Sequence, residues 1–423
     1  MGQPGKPLRG SPLARFTVLT DILVAARNIA RQRRRSAFAL AAIAFGVAAL
    51  IVANGFIDWI LFKHRETTIT SQFGHIQVSR TGYWEEGTAN PFGYLLPKSS
   101  PVLDAIERLP GLRVVGRRLA FSGLASRGDE TISFLAEAVE PDKERVLSSS
   151  LRIPKGSDLS ADDPKGIIMG LGLAANLGVD VGDSVVLVAN TAQGGVNAVE
   201  CRVRGLFATM SKAYDDVALR VPLPTAQKLL KVDGAHVWAL LLDETEQTGP
   251  TLATLRERFG NQGLVFTEWI DLADFHVKAA SLFAKQVGVM RVIIAVIIVL
   301  SIFNTMMMSV VERTAEIGTS MALGVKRRRI LGMFLVEGAI LGAVGGVLGL
   351  ALGSLLAWMI SSIGIPMPPP PGQSWGFLGE VLVSKRLCVE VFLLAVGSTL
   401  IASVLPARKA SAMIIVDALR FNR

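Results

Sequence analysis

The stretch AFALAAIAFGVAALIVANGFIDWILF, residues 37–62, decides the architecture. It holds no charge before Asp58, and the basic run Arg31, Arg33, Arg34 and Arg35 stands directly before it. As a helix rising about 1.5 Å per residue it reaches about 39 Å, enough to cross the hydrocarbon of a bilayer. It is longer than a signal-peptide core, and Asn54 and Asp58 stand where a small-residue cleavage site would be expected. We read it as a retained first span. Residues 1–36 form a polar, basic N-terminal segment. Within it, Leu19 to Arg31 has the spacing of a helix lying along the inner membrane surface.

Three more apolar runs follow, at 287–311, 330–360 and 387–405. Lys326 to Arg329 precede the third span, and Arg408 and Lys409 follow the fourth. Basic residues on one side of every span set the orientation, with both termini and 312–329 cytoplasmic. Half of the 423 residues are hydrophobic and 19% are charged, with a mean hydropathy of +0.44. The net charge of +9 therefore reflects topology and does not point to nucleic acid.

Residues 63–283 contain no span, and their periodicity mixes strands and short helices. GHIQVSR, LRVVGRRLAFSGLAS, ETISFLAEAV and AHVWALLLDE read as strands, and SPVLDAIERLPG and TGPTLATLRERFG as helices. The expected fold is an α-helical membrane protein with four transmembrane helices and an inserted α+β extracytoplasmic domain. From Trp269 a helical stalk is expected to run without a breaker into the second span. Residues 361–386 form an external Pro-rich loop (Pro366, Pro368 to Pro371, Gly372), stiff and extended. Residues 406–423 form a cytoplasmic tail.

No catalytic constellation is present. Cys201 and Cys388 lie far apart, and His64, His75, His236 and His276 lack metal-ligand spacing. Gly170, Gly172 and Ala175 imitate a dinucleotide motif after a strand, but the next strand ends at Asn190, not at an acid. Gly111 and Gly116 have P-loop spacing, but Arg117-Arg118 replaces Lys-Ser/Thr. The chain is therefore expected to hold no cofactor and no metal of its own.

Polar residues inside spans are costly and are candidates for function: Asn54, Asp58, Arg291, Asn304, Glu337 and Glu390. Asp58, Arg291 and Glu390 lie near outer ends, within reach of headgroups. The third span carries two glycine series at four-residue spacing, Gly338, Gly342, Gly346 and Gly345, Gly349, Gly353. Such faces let helices approach closely in lipid, at a helix–helix or a subunit interface.

The richest segment is NTMMMSVVERTAEIGTSMALGVKRRRI, between the second and third spans. Its Glu312, Arg313, Glu316, Ile317, Gly318, Ala322 and Gly324 match E-R-x-x-E-I-G-x-x-x-A-x-G, and the chain here resembles the FtsX-like ABC transporter permease family. This is the type VII group with LolC/LolE-type lipoprotein-release and MacB-type efflux permeases. AARNIARQRRRSAFALAAIAFGVA, GIIMGLGLAANLGVDVGDSVVLV, FLVEGAILGAVGGVLG and LPARKASAMIIVDALR extend the resemblance over nearly the whole chain. It implies a MacB-type periplasmic core in the outer domain and an inner-membrane location. It implies a partner ABC ATPase dimer that carries ATP and Mg, and a second permease copy or homologue. Glu312 to Gly324 would be the helix that docks on the ATPase, and the long helices would carry its motion outward. GHIQVSRTGYWEEG resembles the lipoprotein-release branch, implying extraction of a lipoprotein or lipid toward a LolA-like carrier. The alternatives are efflux with an adaptor and outer-membrane duct, or a non-transporting regulator of a cell-wall hydrolase.

Overall fold

The computed structural model describes Arg27, Arg31 and residues 33–420 apart from 88–89, 210 and 368–375. The proline run of the external loop and most of the Leu19–Arg31 stretch lie outside the described residues. Among the described residues, four helices are long and apolar enough to cross a membrane. The chain divides into two compact units. One is built on the residues up to Ile60, Ala280–Ile365 and those from Leu378 on; the other is built on Leu61–Ala279 with the described residues of Pro366–Phe377.

In the helical unit the first long helix is Arg33–Thr68, the second Asp274–Glu312, the third Arg327–Ile363 and the fourth Lys385–Ser411. Each is longer than the apolar run that predicted it, because backbone hydrogen bonding continues where side chains turn polar. The fourth passes through Pro406. Its last turns stay helical because Pro406, Ala407 and Ala410 are buried against the bundle, so the 406–423 tail is helical at its start. A second helix, Ile415–Arg420, follows. The 361–386 loop contains two short paired strands, Ile365–Met367 and Phe377–Gly379.

One expectation fails. The helix from Trp269 is not continuous with the second span: Trp269–Leu272 is a separate turn, and Ala273 (φ −97°, ψ 54°) leaves helical geometry before Asp274. Burial of both Trp269 and Ala273 in one small cluster fixes this break.

The second unit is a mixed ten-stranded sheet with short helices. The strands are β1 (Ile76–Arg80), β2 (Leu112–Arg127), β3 (Glu130–Val139), β4 (Arg152–Gly156), β5 (Gly166–Gly170), β6 (Ser184–Asn190), β7 (Val196–Ala208), β8 (Ala218–Pro222), β9 (Val237–Leu242) and β10 (Leu264–Glu268). The order is β10-β1-β9-β2-β3-β8-β5-β7-β4, with β6 pairing β2 and β7. The pairs β3–β8 and β5–β7 are parallel. Every residue of β5, β8 and β9 is buried, the signature of strands covered on both faces. One apolar core gathers Leu119, Phe134, Ile167, Leu173 and Val203. A second gathers Ile76, Val102, Trp238 and Leu255.

Candidate functional site

The segment between the second and third long helices breaks at Arg313, which sits at φ −101°, ψ 11°, and re-forms as a nine-residue junction helix, Thr314–Ala322. Ile317, Gly318 and Met321 turn inward, whereas Glu316, Thr319 and Ala322 are exposed. Leu323, at the exit, is 83% exposed. Gly324 ends the helix at φ +92°, a left-handed conformation that glycine adopts without steric cost.

Ion pairs tie this junction to its surroundings. Arg35 meets Glu312 at 2.5 Å, and Arg31 meets Glu316 at 3.1 Å. Arg313 lies 3.5 Å from Glu316 and 3.3 Å from the buried Glu337 of the third helix. Its guanidinium also lies over the Phe334 ring, 5.5 Å from the centroid. Four of the predicted residues, Glu312, Arg313, Glu316 and Glu337, thus form one charged cluster with the N-terminal arginines.

The third helix uses both glycine series within the chain. A Cβ on Gly349 would lie 2.5 Å from Val47 Cβ, and one on Gly353 would lie 3.0 Å from Ala48 Cα. Gly345 faces Ile43 in the same way, so this series seats the first helix. Gly338, Gly342 and Gly346 seat the fourth helix, against Ser403, Thr399 and Phe392. Of the other intramembrane polar residues, Asn54 is buried, and its amide has no hydrogen-bond partner among the described residues. Asp58 and Asn304 are exposed. Arg291 and Glu390 pair at 3.0 Å, and Arg386 reaches the same carboxylate at 2.8 Å.

Sequence reasoning missed a joint in the second unit. The first long helix ends in a π-turn, Ile69–Phe73, and a helix end leaves carbonyls without partners. Each of these five finds one. Ile69 O accepts from Gly74 N–H at 2.9 Å, and Thr70 O from Ser150 N–H at 3.0 Å. Ser71 O accepts from Arg220 Nη2 at 2.9 Å and from Ser148 Oγ at 3.3 Å. Gln72 O accepts from Arg118 Nη1, and Phe73 O from Gln77 Nε2 at 3.0 Å.

The two arginines are themselves buried. Glu144 holds Arg118 at 2.8 Å and Arg220 at 3.2 Å, and Glu137 lies 3.4 and 3.3 Å from them. Two cations meet two carboxylates, so the cluster is neutral, and its carboxylates keep Arg220 well above its ordinary pKa despite burial. The available signal was a lone arginine in the apolar run ALRVP, together with the Arg117-Arg118 pair that rules out a P-loop. The imitation dinucleotide glycines also have a packing reason: side chains at Gly170 and Gly172 would strike Asp215 and Asp216.

Residues 36–258, just over half the chain, match the MacB-like periplasmic core domain, and residues 288–414 match the FtsX-like permease C-terminal model. The chain belongs to this family: it is an ABC transporter permease subunit, a multi-pass membrane protein with its large domain on the outer side. It is similar to an uncharacterized ABC transporter permease of Methanocaldococcus jannaschii, at 24% identity over 94% of this chain and 97% of that one. It is likewise similar to the lipoprotein-releasing system transmembrane protein LolC of Neisseria meningitidis, at 24% identity over 93% and 97%. Among solved structures, the periplasmic region of MacB from Actinobacillus actinomycetemcomitans aligns at 11% identity and TM-score 0.36, covering 50% of this chain and 97% of that one.

Proposed function

We propose that the chain couples ATP hydrolysis by a cytoplasmic partner ATPase, which carries the ATP and Mg, to extraction of a lipoprotein or lipid at the outer face of the inner membrane. The observation that carries this reading is the length and anchoring of the first two long helices. They run unbroken for 36 and 39 residues, about 54 and 58 Å, against a hydrocarbon thickness of about 30 Å. Arg35–Glu312 links them at one end, and the clamped π-turn ends the first at the other. A stiff rod held at both ends transmits displacement.

Glu312 to Gly324 is the ATPase contact in this reading. The junction helix buries one face and leaves Glu316, Thr319 and Leu323 outward. Leu323 is an apolar knob that lacks cover among the described residues. A second permease copy is supported by Asn304, an amide exposed among Leu300, Met308 and Val311 on an apolar membrane helix. Such a group gains a hydrogen-bond partner from another helix.

The full-length similarity to LolC favours lipoprotein release over small-molecule efflux with an adaptor and duct. Purification of the tagged permease in mild detergent, followed by mass spectrometry, tests the reading. An ATPase with a LolA-like carrier or bound lipoprotein is the expected result. A periplasmic adaptor would move the assignment to efflux, and a cell-wall hydrolase would move it to regulation.

A further inference from the structure

The second unit contains a cavity of about 780 Å³, within the size range of small-molecule sites. Tyr83, Trp84, Phe92, Phe121 and Leu135 supply its apolar walls, and Glu137 faces it. The walls are well fixed. His236 stacks on Tyr83 with ring centroids 5.2 Å apart. Its Nδ1 accepts from Ala120 N–H at 3.1 Å, so Nε2 bears the proton and donates to Pro91 O at 2.8 Å. A doubly engaged neutral imidazole positions the ring beside it. Trp84 and Leu135, 44% and 54% exposed, offer apolar surface to an entering molecule.

The polar side of the cavity selects by charge. Glu137 is compensated by Arg118 and Arg220, but both contacts exceed 3.2 Å and use one site on each oxygen. An ionised carboxylate has about four lone-pair positions, so Glu137 retains capacity to accept. A charged ligand of either sign would disturb this balanced cluster. An uncharged donor fits both the neutral cluster and the open lone pairs.

We propose that this cavity is a binding site for an uncharged apolar molecule carrying a hydrogen-bond donor, of the alkyl amide class, whose N–H is accepted by Glu137. The site does not depend on what the transporter moves. Glu137 also contacts both arginines that hold the π-turn carbonyls, so occupancy is felt at the end of the first long helix.

The test uses the full-length protein in lipid nanodiscs and two diazirine probes with the same alkyl tail, one an amide and one a carboxylate. Peptide mapping should place the amide label on Tyr83–Trp84 and on the Ser122–Glu137 hairpin, with the carboxylate labelling these peptides far less. Ser122→Trp and Leu135→Asp alter exposed cavity residues, so the fold tolerates them. Each should cut the domain label by about tenfold, equivalent to about 1.4 kcal/mol, with unchanged melting. Glu137→Gln should erase the preference for amide over carboxylate. Label confined to the membrane helices, or domain label that survives both Ser122→Trp and Leu135→Asp, would overturn the site. Equal labelling by the two probes in the parent would overturn the role of Glu137.

Discussion

Arg220 donates to the Ser71 carbonyl at 2.9 Å from a position that is 1% exposed. A buried cation thus caps the negative end of a helix dipole, a favourable placement. Removing one partner of a buried ion pair leaves the others uncompensated and costs about 3–5 kcal/mol. Arg220→Met should therefore destabilise the outer domain strongly, read as a lower thermal or denaturant midpoint. Arg220→Lys should fail to restore it, because an ammonium cannot reach Ser71 O, Ser148 and two carboxylates with a planar fork. A lysine variant as stable as the parent would show that the fork geometry is irrelevant.

His75 is one group expected to make the domain sensitive to acid. Its Nδ1 accepts from Leu242 N–H at 3.0 Å, and its Nε2 lies 3.0 Å from Thr245 Oγ1, whose hydroxyl donates to Glu66 at 3.1 Å. Burial pushes His75 down to about 4, outweighing the opposite pull of Glu66. The unfolded chain takes up this proton near 6.5 and the folded chain only near 4. The stabilisation is therefore complete above about pH 6.5 and is lost as pH falls toward 4. His75→Asn should flatten the fall in melting temperature across that window. An unchanged slope would place the acid sensitivity elsewhere.

In the third helix, Gly349 leaves no room for a side chain beside Val47. Gly349→Leu should reduce the folded, monodisperse fraction in detergent, since close backbone approach supplies the packing that holds helices together in lipid. Gly397→Leu is the matched control, because a Cβ there meets open space. Equal behaviour of the two variants would mean that the glycine contact with the first helix contributes nothing.

At the junction, Leu323→Asp should leave insertion intact and abolish copurification of the ATPase. Glu316→Lys breaks an exposed pair with Arg31 and a longer contact with Arg313. Pairs made by so exposed a glutamate are worth only about 0–1 kcal/mol each to folding, so a large loss of stimulated ATP turnover at unchanged melting temperature reports the partner contact. Gly324→Leu forces a side chain into left-handed backbone and should redirect the helix exit. If all three variants bind and turn over ATP like the parent, the segment is only a connector.

The sequence made the spans legible because lipid demands long uncharged runs, and it made Gly349 and Glu337 conspicuous as exceptions within them. The pairing of Arg313 with Glu337 was not legible, since the two lie 24 positions apart and only the return of the third helix brings them together. The joint at Ser71 was hidden for a stronger reason. Its partners, Arg118, Ser148, Ser150 and Arg220, come from distant segments, and no local period records a meeting of that kind. β10 escaped because Leu264–Glu268 is short and half-buried. The break at Ala273 escaped because alanine is a good helix former and tertiary burial overrides that preference.

β1 is five residues long and lies between β9 and β10, in register with Leu240 and Phe266. The ribosome delivers Ile76 and Val78 more than 150 positions before either neighbour exists. Until then a strand whose first four residues are buried in the finished sheet stands beyond the first membrane helix with both edges open. Pairing across such separation is slow because a long loop must close first, and open strand edges invite aggregation. The outer domain therefore completes its sheet only after the chain has emerged through Glu268, just ahead of the second membrane helix, so its assembly is effectively post-translocational.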